Sequence, residues 1–454
     1  MKTYNTEFKK LFILCLCLVC TTVSFAQNNK WKQYANVEEV GFSAKALDKV
    51  KTQLDSIDTA SLLVVYKGNI LFSYGDNTRK FMLHSIRKSI MNAMIGIEIE
   101  KGTISLNQSI QDLKIEDIGK LTPEEKQATV KDLLSARSGV YHPSAYSTRG
   151  MIKNLPERGS HKAGSYWYYN NWDFNTLLAI YQQQSGKSFF EAFENEIADP
   201  IGMEDFNISD TFYRVEEDKS VHPAYLFKMS ARDMARFGLL YLNKGKWNNN
   251  QIVPEKWIEK STQAISTDLG DFSSREAYGF LWWVTQLNGR KMYYASGTGG
   301  HRIMVFPEDD LVIIHRVNTY ENFNVNENRV EEIAVEILNA KLATKKDHSL
   351  PKLTFYNPNK EVLNNIYEGS MDQYVGTYKH RILGEMSIKN LANGYILENN
   401  VGTFKLYAAT ENSFFPEDIQ IPLLMKKATE ENKKFIIEPL MINQKSIKEI
   451  IFYY

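Results

Sequence analysis

Apolar residues along this chain follow two rhythms. Ser61-Leu-Leu-Val-Val-Tyr66 and Ile70-Leu-Phe-Ser-Tyr74 are rich in β-branched, aromatic and aliphatic residues, with Lys67-Gly68-Asn69 between them. Turn chemistry between two such runs predicts a β-hairpin. A short extended piece, Phe81 to His84, comes next. The period then changes: Ile86, Ile90, Ala93, Met94 and Ile97 recur every three or four residues until Lys101-Gly102. That spacing predicts a helix with a glycine stop.

Residues 103–275 read as mainly helical with long connections. Short helices are expected at Asp132 to Ala136, ending at Ser138-Gly139, and at Asn175 to Gln184, ending at Ser185-Gly186. Ser230-Ala-Arg-Asp233 resembles a capping box for a helix reaching about Leu242. Pro254 is placed to open another helix at Glu255. Strands return as two hairpins. One runs from Tyr278 to Thr285 and from Lys291 to Ala295 around Asn288-Gly289. The other joins Arg302–Phe306 to Leu311–Arg316 through Pro307 and Asp310. Val330, Ile333, Ala334, Ile337 and Leu338 form one helical face. The order strands, helices, strands, helix predicts the α+β class: an antiparallel sheet flanked by helices, with a large helical insertion. Lysines and prolines mark a linker over 341–364, and short strands predict a small β-rich module over 365–454.

Composition adds a compartment. The 454 residues carry 54 Lys+Arg against 54 Asp+Glu and are 43% hydrophobic, a globular balance. Zero formal charge argues against nucleic-acid partners, which are bound by clustered Lys and Arg. All three cysteines, Cys15, Cys17 and Cys20, fall in the first 26 residues. Lys2, Lys9 and Lys10 precede the apolar run Leu11 to Val19, and Ser24-Phe25-Ala26 offers a small-x-small cleavage site. This predicts a signal peptide over 1–26, no membrane span, and a periplasmic or secreted protein. Bulky Val19 before Cys20 disfavours a lipid anchor. The mature chain from Gln27 onward, with its main domain over 27–340, would then be cysteine-free throughout, which excludes a thiol nucleophile, a disulfide framework and a thiolate metal site. No metal ligand set or other cofactor motif is expected.

Three segments could carry chemistry. Ser85-Ile86-Arg87-Lys88 puts a hydroxyl where an extended segment meets a helix, with an amine one turn later on the same face. A serine hydroxyl needs a base, and a lysine amine can serve if burial or a neighbouring cation lowers its pKa. A second S-x-x-K at Ser349 to Lys352 has a proline inside it and no helical pattern after it. Tyr-x-Asn recurs at Tyr34, Tyr168, Tyr169, Tyr241 and Tyr320, but only the copies after Gly164 lie between a turn and a helix. The third segment is Ala295-Ser296-Gly297-Thr298-Gly299-Gly300-His301-Arg302, where glycines beside a strand let a ligand approach the backbone. Ordinary roles compete with each reading: a helix cap, an aromatic core and a tight turn.

The three segments in this order resemble the serine β-lactamase-like superfamily, in particular its class C β-lactamase, esterase and 6-aminohexanoate-dimer hydrolase branch. The resemblance covers roughly residues 40–340. Supporting segments are Leu133 to Gly139, Pro200-Ile-Gly-Met203, Ser230 to Gly238 and Tyr278 to Trp283. It implies Ser85 as the acylated nucleophile, Lys88 as its base and Tyr169 as the proton-shuttling tyrosine. Asn171, Gly297, Thr298 and Arg302 would bind or support the substrate. Backbone N–H groups of Ser85 and near Thr298 would form the oxyanion hole. Tyr168 with Asn170 is the competing register. In one respect the chain departs from the family: Ala295 stands where its third motif begins with Lys or His. Together with the expected signal peptide, the resemblance implies an exported serine hydrolase that cleaves a small ester or amide, peptide- or cell-wall-derived substrates included, through an acyl-enzyme on Ser85. The alternatives are a catalytically silent binding or sensor protein and a true β-lactamase or DD-peptidase.

Overall fold

The computed structural model describes residues 30–272, 275–321, 323–342 and 350–358. In the C-terminal part it describes 369–380, 384–391, 394–399, 402–410, 413–416, 423–427, 434–438 and 450–453. The expected signal peptide and most of the expected linker lie outside these residues.

The first hairpin is present as β2 (Thr59–Tyr66) and β3 (Asn69–Gly75), preceded by β1 (Lys32–Tyr34). Two short pieces follow: β4 (Phe81–Met82) pairs with β6 (Ala224–Met229), and β6 pairs with β5 (Thr211–Arg214). A two-stranded ribbon joins β7 (Lys246–Trp247) to β8 (Asn250–Gln251). The later strands are β9 (Ala277–Tyr278), β10 (Trp283–Leu287), β11 (Arg290–Gly297), β12 (His301–Phe306), β13 (Leu311–Val317) and β14 (Leu353–Phe355). They complete a nine-stranded sheet in the order β14-β1-β3-β2-β13-β12-β11-β10-β9. Its neighbours are antiparallel except for β1 and β3, which meet in parallel at Gln33 and Ile70. The N-terminal hairpin is thus closed onto the late hairpins by β2 and β13.

Five helices of more than ten residues are described: α1 (Ala44–Leu54), α2 (Arg87–Glu100), α3 (Asn171–Ser185), α4 (Ala231–Leu242) and α5 (Glu327–Asn339). Helix α5 buries the apolar face the sequence marks. Helix α4 is capped by Ser230, whose side chain accepts from the Asp233 N–H. The Asp233 carboxylate does not return to the cap. It accepts instead from the Glu204 and Asp205 amides. Helix α2 is buried on nearly every side, as expected of a helix apolar all round. It forms the centre on which the site is built.

Besides the short helix expected at Asp132 to Ala136, which lies at Val130–Leu134 because Thr129 caps it, the sequence-based expectations differ from the structure in four places. Helix α3 begins at Asn171, not Asn175, because the Asn170 side chain accepts from the Trp172 N–H and caps it there. Residues 103–275 include the β5–β6 pair, so the insertion is not helical throughout. Tyr278 to Thr285 is not one strand. Leu281 has φ near 60°, and a Cβ on Gly279 would lie 2.2 Å from the Ser261 carbonyl oxygen, so the chain reverses between β9 and β10. Leu353–Phe355, expected within the linker, forms an edge strand on β1.

The C-terminal module is β-rich. Eight strands, from Gly376–His380 to Ile450–Tyr453, close into a barrel of antiparallel neighbours.

Candidate active site

Ser85 sits in a 3-10 turn, His84–Ile86, that carries the chain from β4 into α2. His84 takes a left-handed conformation, φ near 49°. Its ring nitrogens are 2.9 Å from the Tyr146 hydroxyl and 3.0 Å from the Thr319 hydroxyl. These contacts brace the residue before the serine. The strand end β11 closes against the same turn. A Cβ at Gly297 would lie 2.6 Å from the Leu83 carbonyl oxygen, so only glycine allows this approach.

Lys88 Nζ lies 2.8 Å from Ser85 Oγ, the one-turn geometry that the motif spacing predicts. The amine also stands 4.6 Å from the Tyr169 ring centre and 4.9 Å from that of Phe174. Lys88 is 2% exposed. Burial, and then the Arg87 charge, hold its pKa well below the ordinary lysine value. A free amine at this distance accepts the serine proton. Burial pushes the Tyr169 phenol up, while hydrogen bonding with Ser85 acts in the opposite direction. Tyr169 therefore enters as a neutral hydroxyl beside the serine.

Tyr168 is held elsewhere. Its hydroxyl donates to the Met151 carbonyl and its ring packs edge-on against Tyr141. Asn170 caps α3 and donates to the Val140 carbonyl, 2.7 Å, and to Asp173. The geometry thus brings Tyr169, not Tyr168, to Ser85. Asn171 is buried at the first turn of α3, and its amide nitrogen donates to the Tyr146 carbonyl, 2.6 Å. Its Oδ1 has no protein partner.

A cavity of about 350 Å³ opens over Ser85. Tyr169, Phe272 and Trp283 form an aromatic wall, and Ser296 and Thr298 line the strand side. Antiparallel register puts Arg302 opposite Ser296 and His301 opposite Gly297, so neighbours on β12 face different sides. Arg302 is fully buried and does not line the cavity itself. It donates to Ser296 Oγ, 2.7 Å, and reaches Glu327 at 3.1 Å. The His301 ring lies tilted against that of His84 behind the turn, 5.4 Å between centres, and burial holds its pKa well below the ordinary value.

Two lining residues were not anticipated from sequence. Arg275 lies 4.1 Å over the Trp283 ring, donates to the Tyr294 hydroxyl and pairs with Glu327. Glu327, at the start of α5, therefore bridges two guanidiniums, and they hold its carboxyl below the usual range despite burial. Among the described residues no cluster of His, Cys, Asp and Glu is placed to hold a metal ion. None of the described helices is long and apolar enough to cross a membrane.

Residues 47–335 match the sequence profile of the family described as Beta-lactamase, well over half of the chain. The chain belongs to the beta-lactamase family. The family span contains Ser85, Lys88, Tyr169 and the β11 edge. An uncharacterised protein of Alkalihalophilus pseudofirmus is 23% identical over 329 residues, 62% of this chain and 92% of that one. Among solved structures, a Bacillus anthracis protein named as a candidate 6-aminohexanoate-dimer hydrolase superposes with a TM-score of 0.52. It is 24% identical and covers 65% of this chain and 83% of its own. A penicillin-binding protein homologue from Pyrococcus abyssi gives a TM-score of 0.49 at 16% identity, over 90% of this chain and 99% of its own. These likenesses are of fold.

Proposed function

We propose that this beta-lactamase-family protein is an exported serine hydrolase that cleaves a small ester or amide through an acyl-enzyme on Ser85. One observation carries the reading: a buried lysine amine 2.8 Å from Ser85 Oγ, at the foot of a cavity and beside the Tyr169 hydroxyl. Lys88 takes the hydroxyl proton as Oγ attacks the carbonyl carbon. The N–H groups of Ser85 and Thr298 stabilise the oxyanion, since fixed dipoles cost no reorganisation as charge develops. Tyr169 passes a proton to the leaving group and is resupplied from Lys88. Water, deprotonated by the same pair, then releases the acid. Asn171 Oδ1, which is buried and lacks a protein partner, accepts a hydrogen bond from the substrate or Lys88. The positively charged, apolar N-terminal segment supports export.

The test is intact-mass spectrometry after treatment with a fluorophosphonate, with Ser85→Ala alongside. A single adduct on the wild type and none on the variant is expected. Hydrolysis should fall by at least about 10⁴-fold, with an unchanged melting temperature. An adduct that persists on Ser85→Ala would remove the nucleophile assignment.

A specific observation favours one further reading of the substrate. Arg275 brings a guanidinium to the cavity wall, which supplies a cation for a substrate carboxylate where Ala295 supplies none. Turnover of nitrocefin would move the assignment to a β-lactamase. Ester or amide turnover without it keeps the first reading.

A further inference from the structure

Arg87 is fully buried, yet most of its hydrogen-bonding capacity is unused. Its NH2 donates to Asn175 Oδ1 at 2.9 Å, and the guanidinium lies 4.3 Å over the Tyr225 ring. Its Nε and NH1 have no partner, and among the described residues no carboxylate pairs with it. Arg302, equally buried, reaches Glu327. A buried cation without a counterion costs stability, and an apolar chain of similar volume would fill the space at lower cost. The position next to Lys88 in α2 gives the charge a use. The Tyr225 ring and the Asn175 amide hold the guanidinium, and Asn175 directly follows Phe174, whose ring faces the Lys88 amine; neither contact cancels the charge.

We propose that Arg87 is a positioning residue: its uncompensated guanidinium keeps the neighbouring Lys88 amine free of its proton and able to accept one from Ser85. The inference rests on the Ser85 reading and adds to it how the base is held ready. A fixed positive charge disfavours a second one beside it, so it opposes protonation of Lys88. The pKa of Lys88 is lowered first by burial and next by Arg87. Burial raises the Tyr169 pKa, and Arg87 is among the groups that oppose that rise.

The other groups around Lys88 do not supply this charge. Ser85 from the turn, Tyr169 from the loop before α3 and Phe174 from α3 are its direct neighbours. His84 is held neutral by burial, its pKa lowered to about 3. Tyr225 on β6 and Tyr278 on β9 are pushed up by burial and stay neutral. Asp173 in α3 is bonded to Ser138 and Asn170, and burial raises its pKa well above the usual value. Arg275 and Glu327 act on Tyr169 from the far wall with opposite signs.

The experiment is the pH dependence of the fluorophosphonate labelling rate on the full mature protein, for wild type, Arg87→Met, Arg87→Gln and Arg87→Lys. It needs no knowledge of the substrate, and thermal melts report folding. The sign follows from the charge: without it Lys88 keeps its proton to higher pH. The acid limb of the neutral variants should therefore move upward by on the order of one pH unit. Their plateau rate at high pH should return towards wild type. Arg87→Lys should keep the wild-type midpoint. A folded neutral variant with an unmoved limb, or one slowed equally at every pH, overturns the proposal. Failure of both neutral variants to fold would assign the side chain to the fold and also overturn it. A wild type that never labels sinks the Ser85 reading as well. An unmoved limb on a labelling protein sinks only the role of Arg87.

Discussion

The molecule buries positive charge in two contrasting ways. At the start of α4, Arg232 meets Glu204 at 2.7 Å and Asp205 at 2.5 Å, and Arg236 meets Glu204 at 2.6 Å. Nearby, Lys80 pairs with Asp210 at 2.9 Å, with both side chains almost fully covered. On the α2 side of Ser85, across the cavity from Glu327 and its two guanidiniums, the pattern reverses. Lys88 touches a hydroxyl and two rings, Arg87 an amide and a ring. Arg316 behind the turn donates to the Phe81 and Met229 carbonyls and to the Met234 sulfur. The consequences differ in sign. The carboxylates around Arg232 raise its pKa, whereas burial lowers Lys88 and takes Arg316 down to about 9. Arg236 is intermediate, since burial still outweighs its partners there. A paired cation locks structure together. An unpaired one is costly to keep charged, and that cost makes an amine a base.

The sharpest way to break this contrast is to remove one lysine from each region. Lys88→Met should cut the labelling rate by about 10²–10⁴-fold. Its melting temperature should stay level or rise, because no carboxylate is left behind. Lys80→Met strands Asp210 in the interior and should cost about 3–5 kcal/mol in denaturant unfolding, with labelling per folded molecule unchanged. If Lys88→Met labels normally, or Lys80→Met is as stable as wild type, the two regions do not differ as described.

A smaller effect sharpens the same division among the tyrosines. Tyr169→Phe removes the hydroxyl beside Ser85 and should slow acyl transfer by about 10²-fold. Tyr168→Phe removes a hydroxyl already satisfied by the Met151 carbonyl. It should cost about 1 kcal/mol of stability and leave the rate alone. Steady-state rates of the two variants on one ester decide it, and the reverse order would hand the role to Tyr168.

What the sequence revealed follows from how local each signal is. Turn residues such as Gly68 and Asn288-Gly289 and the Ser230 cap act over two to four positions, and the corresponding elements appear. Ser85 and Lys88 were legible for the same reason, since one helical turn joins them. Tyr169 needed the turn at Gly164 to choose between registers, and the fold supplied the decisive contact. Arg275 and Glu327 carry no local signal. They come from segments far apart in the chain and meet only once β9 and the start of α5 are in place. The indirect reach of Arg302 through Ser296 depends on the β11–β12 register, and the break at Gly279 on the Ser261 carbonyl. Both are tertiary facts.

The smallest effect tests whether the two regions are independent. Ser230 Oγ accepts from the Asp233 N–H at 3.1 Å and opens α4, the helix that carries Arg232, Asp233 and Arg236. The same helix presents Met234, whose sulfur accepts from Arg316 at 2.8 Å behind the Ser85 turn. Loss of an N-cap side chain typically costs about 1 kcal/mol. Ser230→Ala should therefore lower the melting temperature by about 2 °C for a domain of this size. If paired charges serve only the fold, labelling per folded molecule and its pH midpoint stay at the wild-type values. A moved midpoint would mean that strain in α4 travels through Met234 to Arg316. The unpaired cations would then be set by the ion-pair cluster, and the two regions would act as a single electrostatic unit.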